Sequence, residues 1–356
     1  QLINKLAKTP EKSGVFSCHR IADMKRALAI VAAIAILSGC AQAPKQVTKP
    51  EPKYITIAFG GDTNGVEHIS KYLDQGGDPF SDVAGLLTKA DISVLNLESA
   101  ITTQTFHQEK KYYFNSNPLL LDKAVAAGID VVNIGNNHTG DYMREGVADT
   151  IKAITDRKMK VIGGGDSGRD AWTAKVINVR GTKVALLGIA KINGGVNTVA
   201  GGELAGTTDG WNPQVIELAI KAAAKQAKIV VVYTHWGVEE QSCPQKSDVE
   251  DAKKWLEWGA TAIIGSHSHR QQPAVRYGEK IVDYSLGNFA FYVRQGGGLE
   301  SGVGYLTIRP TGEVVNYKFY PALINPTNGA PILMSGKQKS EAIKNKQHFC
   351  KSLNNA

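Results

Sequence analysis

Tyr54-Ile55-Thr56-Ile57-Ala58-Phe59-Gly60-Gly61-Asp62-Thr63-Asn64 is an apolar, β-rich run that stops on two glycines and then delivers a carboxylate and an amide. Four further segments repeat the arrangement. Ile92 to Leu97 contains Asn96 and leads into Glu98, and Asp130 to Ile134 leads into Gly135-Asn136-Asn137-His138. Ile229 to Thr234 leads into His235-Trp236-Gly237, and Ala262 to Gly265 into Ser266-His267-Ser268-His269. These runs, with Lys160 to Ile162, predict strands, several apolar enough to be buried on both faces. Between them, Asp82 to Lys89, Pro118 to Ala127, Arg144 to Arg157, Pro213 to Gln226 and Ser247 to Trp258 carry apolar residues at helical spacing, with Gly128 and Gly259 as terminators. This alternation predicts a layered α/β fold, in which ligands gather at the carboxyl ends of the strands. All five polar clusters fall there.

Antiparallel hairpins are expected where alternating runs flank Arg180-Gly181-Thr182, Tyr277-Gly278-Glu279-Lys280 and Pro310-Thr311-Gly312-Glu313. Gly163 to Gly165 and Gly296 to Gly298 lack the spacing of a phosphate loop and read as loops. Trp211, Trp255 and Trp258 read as packing residues.

Taken one at a time, the polar residues have structural explanations. Asp62-Thr63-Asn64 could cap a helix, Asn136 and Asn137 could shape a turn, and His235 could be a hydrogen-bonded core histidine. Five clusters in the same position on five strands argue for one shared site. Carboxylates and imidazoles suit a divalent ion such as Zn, Mn or Fe, and the lack of clustered cysteines disfavours a structural zinc or iron-sulfur site. His267 and His269, two apart, would share a face in a regular strand and be separated by a bend.

These clusters, in this order, resemble the calcineurin-like metallophosphoesterase superfamily and, more closely, its CapA or poly-γ-glutamate biosynthesis branch, over about residues 53–310. The superfamily runs Asp-x-His, a bridging acid, Gly-Asn-His, a lone His and Gly-His-x-His. The resemblance implies an α/β sandwich of mixed sheets flanked by helices. It also implies two divalent ions, one held by Asp62, Glu98 and His269 and the other by Glu98, Asn137, His235 and His267. Such a pair lowers the pKa of a bridging water and neutralises charge on an attacked phosphoryl group. His138 would then protonate the leaving oxygen or stabilise the charged transition state. Asn64, Asn96, Asn136 and Asn288 are secondary candidates, the last in a Gly287-Asn288-Phe289 run similar to one near the end of CapA domains. Two departures stand out: Asn64 replaces the histidine of Asp-x-His, and the bridging acid is Glu98, in the Asn-x-Glu form of the CapA branch.

The N-terminal part reads differently. Met24-Lys25-Arg26 and the eleven apolar residues Ala27 to Leu37 have the form of a secretory signal. As a helix they would reach about 16 Å, against a hydrocarbon layer of roughly 30 Å. Leu37-Ser38-Gly39-Cys40 resembles the lipobox of bacterial lipoproteins, which makes Cys40 the lipidation site. Residues 1–23 are expected to be upstream sequence, residues 1–40 together a leader and lipoprotein signal, and residues 41–52 a Pro- and Lys-rich tether. The domain is placed at 53–310, with 311–356 as a C-terminal extension completing the fold.

Setting aside residues 1–39 lowers the formal charge from +8 to +4, with 35 basic against 31 acidic side chains. With no dense basic stripe, nucleic acid is not an expected partner, while an anionic substrate remains compatible. Lys110-Lys111-Tyr112-Tyr113 could bind an anionic substrate, although a solvated charged face running into a strand is the commoner arrangement. Cys243 and Cys350 could pair in an oxidising compartment. The expected function is a membrane-anchored capsule-synthesis lipoprotein, exported to the periplasmic or cell-surface side, that hydrolyses a phosphate ester. The alternative is non-catalytic binding or export of an anionic capsule polymer, alongside capsule-synthesis partner proteins.

Overall fold

The computed structural model describes residues 54–348 and 350–353. Cys40, the leader and the tether at 41–52 lie outside the described residues. The strands of the first part are β1 (Ile55–Thr63), β2 (Ile92–Leu97), β3 (Val131–Asn133), β4 (Lys160–Ile162), β5 (Gly164–Gly165), β6 (Lys175–Val179), β7 (Thr182–Ala190) and β8 (Gly206–Thr207). The remainder are β9 (Ile229–His235), β10 (Ala262–Ser266), β11 (Gln271–Tyr277), β12 (Lys280–Leu286), β13 (Glu300–Ile308), β14 (Val314–Ile324) and β15 (Pro331–Leu333). They form a seven-stranded sheet in the order β15-β14-β13-β1-β2-β3-β4, a six-stranded sheet β11-β12-β10-β9-β7-β6, and the small β5-β8 pair.

Alternation along the strands builds three cores. Ile55, Ile57 and Phe59 of β1, with Ile229, Val231 and Tyr233 of β9, belong to the apolar layer between the two large sheets. The opposite faces of β2 and β3 pack Leu95, Leu97 and Val132 against α1 (Glu67–Asp74), α2 (Ala84–Leu87), α3 (Leu119–Ala126) and α4 (Met143–Asp156). The outer face of the second sheet packs Val230, Val232 and Ile263 against α6 (Pro213–Gln226) and α7 (Lys246–Trp258); the one-turn α5 (Gly168–Ala171) lies earlier in the chain. The result is a helix–sheet–sheet–helix sandwich. A side-chain period of two gives each central strand two apolar faces, so each is covered on both sides.

Local chemistry explains the helix limits. Asn212 accepts a hydrogen bond from the Val215 N–H (3.2 Å) ahead of Pro213 at the first turn of α6. Gln245 and Asp248 form a capping box on α7, which stops at Gly259 with φ of 123°.

The three expected hairpins are present as β6-β7, β11-β12 and β13-β14. The β13-β14 hairpin runs through residue 310, and β14, β15 and α8 (Gly336–Lys346) follow it, so residues 311–353 contribute two strands of the first sheet. Lys346 at the end of α8 is buried, donating to Asp283 Oδ1 (2.9 Å) and to the carbonyls of Gln272 and Ser285. Cys243 and Cys350 form a disulfide.

Three readings are corrected. Gly164–Gly165 is a short strand paired with Gly206–Thr207, and Gly297–Leu299 is a 3-10 turn, where loops were expected. Trp211 is exposed and lies beneath the Lys191 ammonium, unlike the buried Trp255. Helices α1 and α8 have no counterpart among the sequence expectations: α1 buries only His68, Ile69 and Leu73, and α8 buries Lys346 alone.

Candidate functional site

The ends of β1, β2, β3, β9 and β10 meet at one rim. On β1 the pairing with β2 slips between Phe59 and Asp62, at Gly60-Gly61. A Cβ on Gly61 would stand 2.0 Å from the Gly287 carbonyl oxygen, so glycine alone lets the strand approach there. Asp62 is thereby turned inward, its N–H donating to Gly287 O at 3.0 Å. His267 and His269 follow β10 with φ of 93° and 53°. Such backbone costs about 1–3 kcal/mol per non-glycine residue and clusters at functional sites. The bend sets the two rings 6.2 Å apart and sends them to different neighbours.

One group of donor atoms converges on His235. Its Nε2 lies 2.9 Å from Asn137 Oδ1, 3.1 Å from His267 Nδ1 and 3.3 Å from Glu98 Oε1. Its Nδ1 is held by Ser266 Oγ at 2.9 Å, which leaves Nε2 as the nitrogen free to hold a metal. Ligand atoms sharing one divalent ion at about 2.1 Å are separated by about 3.0–3.4 Å, close to these spacings.

A second group joins Asp62, Glu98 and His269, with His269 Nδ1 3.6 Å from Asp62 Oδ2 and Nε2 4.0 Å from Glu98 Oε1. Asn288 Oδ1 lies 2.8 Å from His269 Nδ1, while its amide donates to Gly298 O at 2.9 Å. Asn288 therefore orients a ring in the centre.

The surrounding amides hold the carboxylate wall. Asn96 Nδ2 donates to Asp62 Oδ1 (2.8 Å), and Asn96 Oδ1 accepts from Asn133 (2.7 Å) and Asn136 (3.1 Å). Asn136 Oδ1 also accepts from the N–H groups of His138 and Thr139, each at 3.0 Å, so it shapes the turn that presents Asn137 and His138. Asn96 and Asn136 are positioning residues.

Whether a divalent pair fits can be read from unpaired atoms. Both carboxylate oxygens of Glu98 and both polar atoms of the Asn64 side chain are buried with no hydrogen-bond partner among the described residues. Orphaned buried polar groups are rare and costly, and a buried carboxylate without donors calls for a cation. Burial and the adjacent Glu98 charge raise the Asp62 carboxyl above its usual range. Burial alone would raise Glu98 too, but the His269 and His235 rings outweigh it and hold Glu98 low. Burial, with the neighbouring His235, pushes His267 down to about 2, which keeps its ring neutral and its lone pair available. The donor set fits hard or borderline divalent ions.

His138 sits beside this centre, stacked on Phe114 with ring centroids 4.3 Å apart. Its Nδ1 lies 2.8 Å from Oδ2 of the fully buried Asp141, whose other oxygen pairs with Lys110. Lys110 also donates to Asn137 O at 2.9 Å. His138, His269 and Asn288 open onto a cavity of about 660 Å³, walled by Phe291, Tyr292 and Arg294.

All six candidate ligands and His138 thus occupy one site. Sequence reasoning missed Asp141 and Asn133, gave Ser266 no role of its own, and read Lys110 as part of a solvated face, which its contacts with Asp141 and the Asn137 carbonyl correct. His138-x-x-Asp141 was an available signal, whereas the Lys110 contact with Asp141 spans 31 positions and had none.

A seven-stranded and a six-stranded sheet packed face to face, with carboxylates and imidazoles at the strand ends, define a metallophosphoesterase-like fold. A phosphatase from Mycoplasma pneumoniae has a similar structure, at TM-score 0.50 and 12% identity, with 82% of this chain and 97% of that one covered. The profile of the family described as bacterial capsule synthesis protein PGA_cap matches residues 56–293, and the chain belongs to that family. It is similar to the capsule biosynthesis protein CapA of Bacillus anthracis, 30% identical over 262 residues, covering 70% of this chain and 63% of the relative. It is also similar to the PGA biosynthesis protein CapA of Bacillus subtilis, at 29% identity, covering 71% of this chain and 67% of that protein. The chain thus spans under two thirds of the length of the B. anthracis protein.

Proposed function

We propose that the chain is a lipid-anchored capsule-synthesis protein that hydrolyses a phosphate ester at a dinuclear centre. The observation that carries this is the convergence of Asn137 Oδ1, His267 Nδ1 and Glu98 Oε1 within 3.3 Å of His235 Nε2, with the buried Glu98 carboxylate facing the His235 and His269 imidazoles. Asp62, Glu98 and His269 would hold one ion and Glu98, Asn137, His235 and His267 the other. Two divalent ions there, of Mn, Zn or Fe, would supply charge neutralisation and an acidified water.

The protein's own side chains do the rest. Asp141 accepts from His138 Nδ1–H and so aims Nε2 outward; in the doubly protonated ring it is the Nε2–H that would pass to the leaving oxygen. Phe114 backs the ring and Lys110 holds Asp141 in place. Asn288 sets the angle of His269.

The anchoring reading rests on the signal-like run and on Cys40. It places the folded body from Lys53 onward at the cell envelope, on the periplasmic or cell-surface side, with residues 311–356 completing the domain. Incorporation of labelled fatty acid that disappears in Cys40→Ser tests it; incorporation that persists refutes it.

A second reading is favoured by Asn64, where the superfamily pattern has histidine: the centre binds the carboxylates of an anionic capsule polymer during synthesis or export, with partner proteins, and hydrolyses nothing. Elemental mass spectrometry combined with assays on phosphomonoesters and phosphodiesters decides between them. About two ions per chain with turnover supports hydrolysis, two ions without turnover supports polymer binding, and no metal rejects both.

A further inference from the structure

Outside the candidate centre, Cys243, His348 and Cys350 form a second convergence of donors. The two sulfurs are joined as a disulfide, and His348 Nε2 lies 3.6 Å from Cys243 Sγ and 3.4 Å from Cys350 Sγ. The other ring nitrogen, Nδ1, is 2.6 Å from the Asn345 carbonyl oxygen. A carbonyl accepts only, so Nδ1 carries the proton and Nε2 turns its lone pair toward both sulfurs. A backbone carbonyl on the far nitrogen is how metal-bound imidazoles are commonly oriented.

We propose that reduction of this disulfide creates a soft-metal site of two thiolates and one imidazole, suited to zinc. In a tetrahedral zinc site, with Zn–S about 2.3 Å and Zn–N about 2.0 Å, sulfur and nitrogen ligands are separated by about 3.5 Å. The imidazole already stands at that separation from each sulfur. Only the sulfurs must part, to about 3.8 Å, and with Cα atoms 5.6 Å apart this needs no more than side-chain rotation. His348 and Cys350 line a surface cavity of about 410 Å³, which admits a reductant, an ion and a water as fourth ligand.

The chemistry balances with a dithiol as reductant. Its two thiol groups deliver two electrons and two protons to the Cys243–Cys350 bond and close to a cyclic disulfide. Both cysteines emerge as thiols, and the bound cation displaces their protons.

The test uses the whole chain with its principal centre already loaded with Mn. It is reduced with a dithiol, desalted without oxygen, and titrated with zinc and then with cobalt. The reduced protein gains one zinc per chain over the oxidised protein and shows thiolate-to-cobalt charge-transfer absorption. His348→Ala retains the disulfide, matches wild type in melting temperature when oxidised, and binds the extra ion at least about 10-fold more weakly when reduced. A Cys243→Ser, Cys350→Ser double variant, which has no disulfide in either buffer, gains none. The proposal is overturned if reduced wild type gains no ion, if His348→Ala binds it undiminished, or if the double variant still acquires it.

Discussion

His138 Nδ1 and Asp141 Oδ2 lie 2.8 Å apart beside the candidate metal ligands, with Asp141 wholly buried. The carboxylate holds the ring through Nδ1–H, so Asp141→Asn keeps the shape but not the charged acceptor that orients the ring. Turnover of a phosphodiester is expected to fall about 100-fold in Asp141→Asn and at least as far in His138→Ala, both with normal metal content. His235→Ala should lose metal as well. Unchanged activity across the three variants would sink the assignment.

Glu98 is expected to matter more with metal than without. Its carboxylate is buried, and in the metal-free protein the His269 and His235 rings hold its charge. Glu98→Gln should therefore melt no higher than wild type after chelation, and gain little on adding Mn or Zn. Thermal melts of both proteins with and without metal measure this, and a variant stabilised by metal as strongly as wild type contradicts it.

Lys346 is inserted among Gln272, Asp283 and Ser285, and Tyr317 donates to the other oxygen of Asp283 at 2.6 Å. Removing one member strands a buried charge. Lys346→Met should lower stability by about 3–5 kcal/mol in urea unfolding, whereas Lys346→Met combined with Asp283→Leu recovers part of it. No recovery in the double variant would mean that the pair is not the cause.

Asp248 is buried in the first turn of α7, and burial pushes its carboxyl up to about 6 against the opposing Gln245 N–H. The folded protein therefore holds this proton more tightly than the unfolded chain. The resulting stabilisation is complete below about pH 4 and is lost as pH rises through about 6. Wild type measured against Asp248→Asn should lose at most about 3 kcal/mol across that window. A constant difference from pH 4 to 7 would refute the shift.

Much of the architecture was legible because each central strand carries its own signal. Val230 and Val232 face α6 and α7 while Val231 faces the other sheet, and a run apolar on both faces reads as a buried strand wherever it lies in the chain. The polar clusters at the ends of such runs were legible for the same reason. The helices α1 and α8 offer less: α1 buries only His68, Ile69 and Leu73 within eight residues, and α8 buries Lys346 alone, so neither carries an extended apolar run.

By itself, the sequence determined which residue types stand at the strand ends: Asp62, Glu98, Asn137, His235, His267 and His269 follow apolar runs, and their order is visible without any coordinates. Only the tertiary structure decided which atoms meet. Whether His267 and His269 face the same neighbour depends on two positive φ values after β10, and Lys110 reaches Asp141 because the segment before α3 crosses the site. Cys243 comes to Cys350 across 107 positions. Local periodicity encodes what a strand presents, whereas contacts between distant segments depend on how sheets stack and loops close, and a single chain read in order carries no local trace of that.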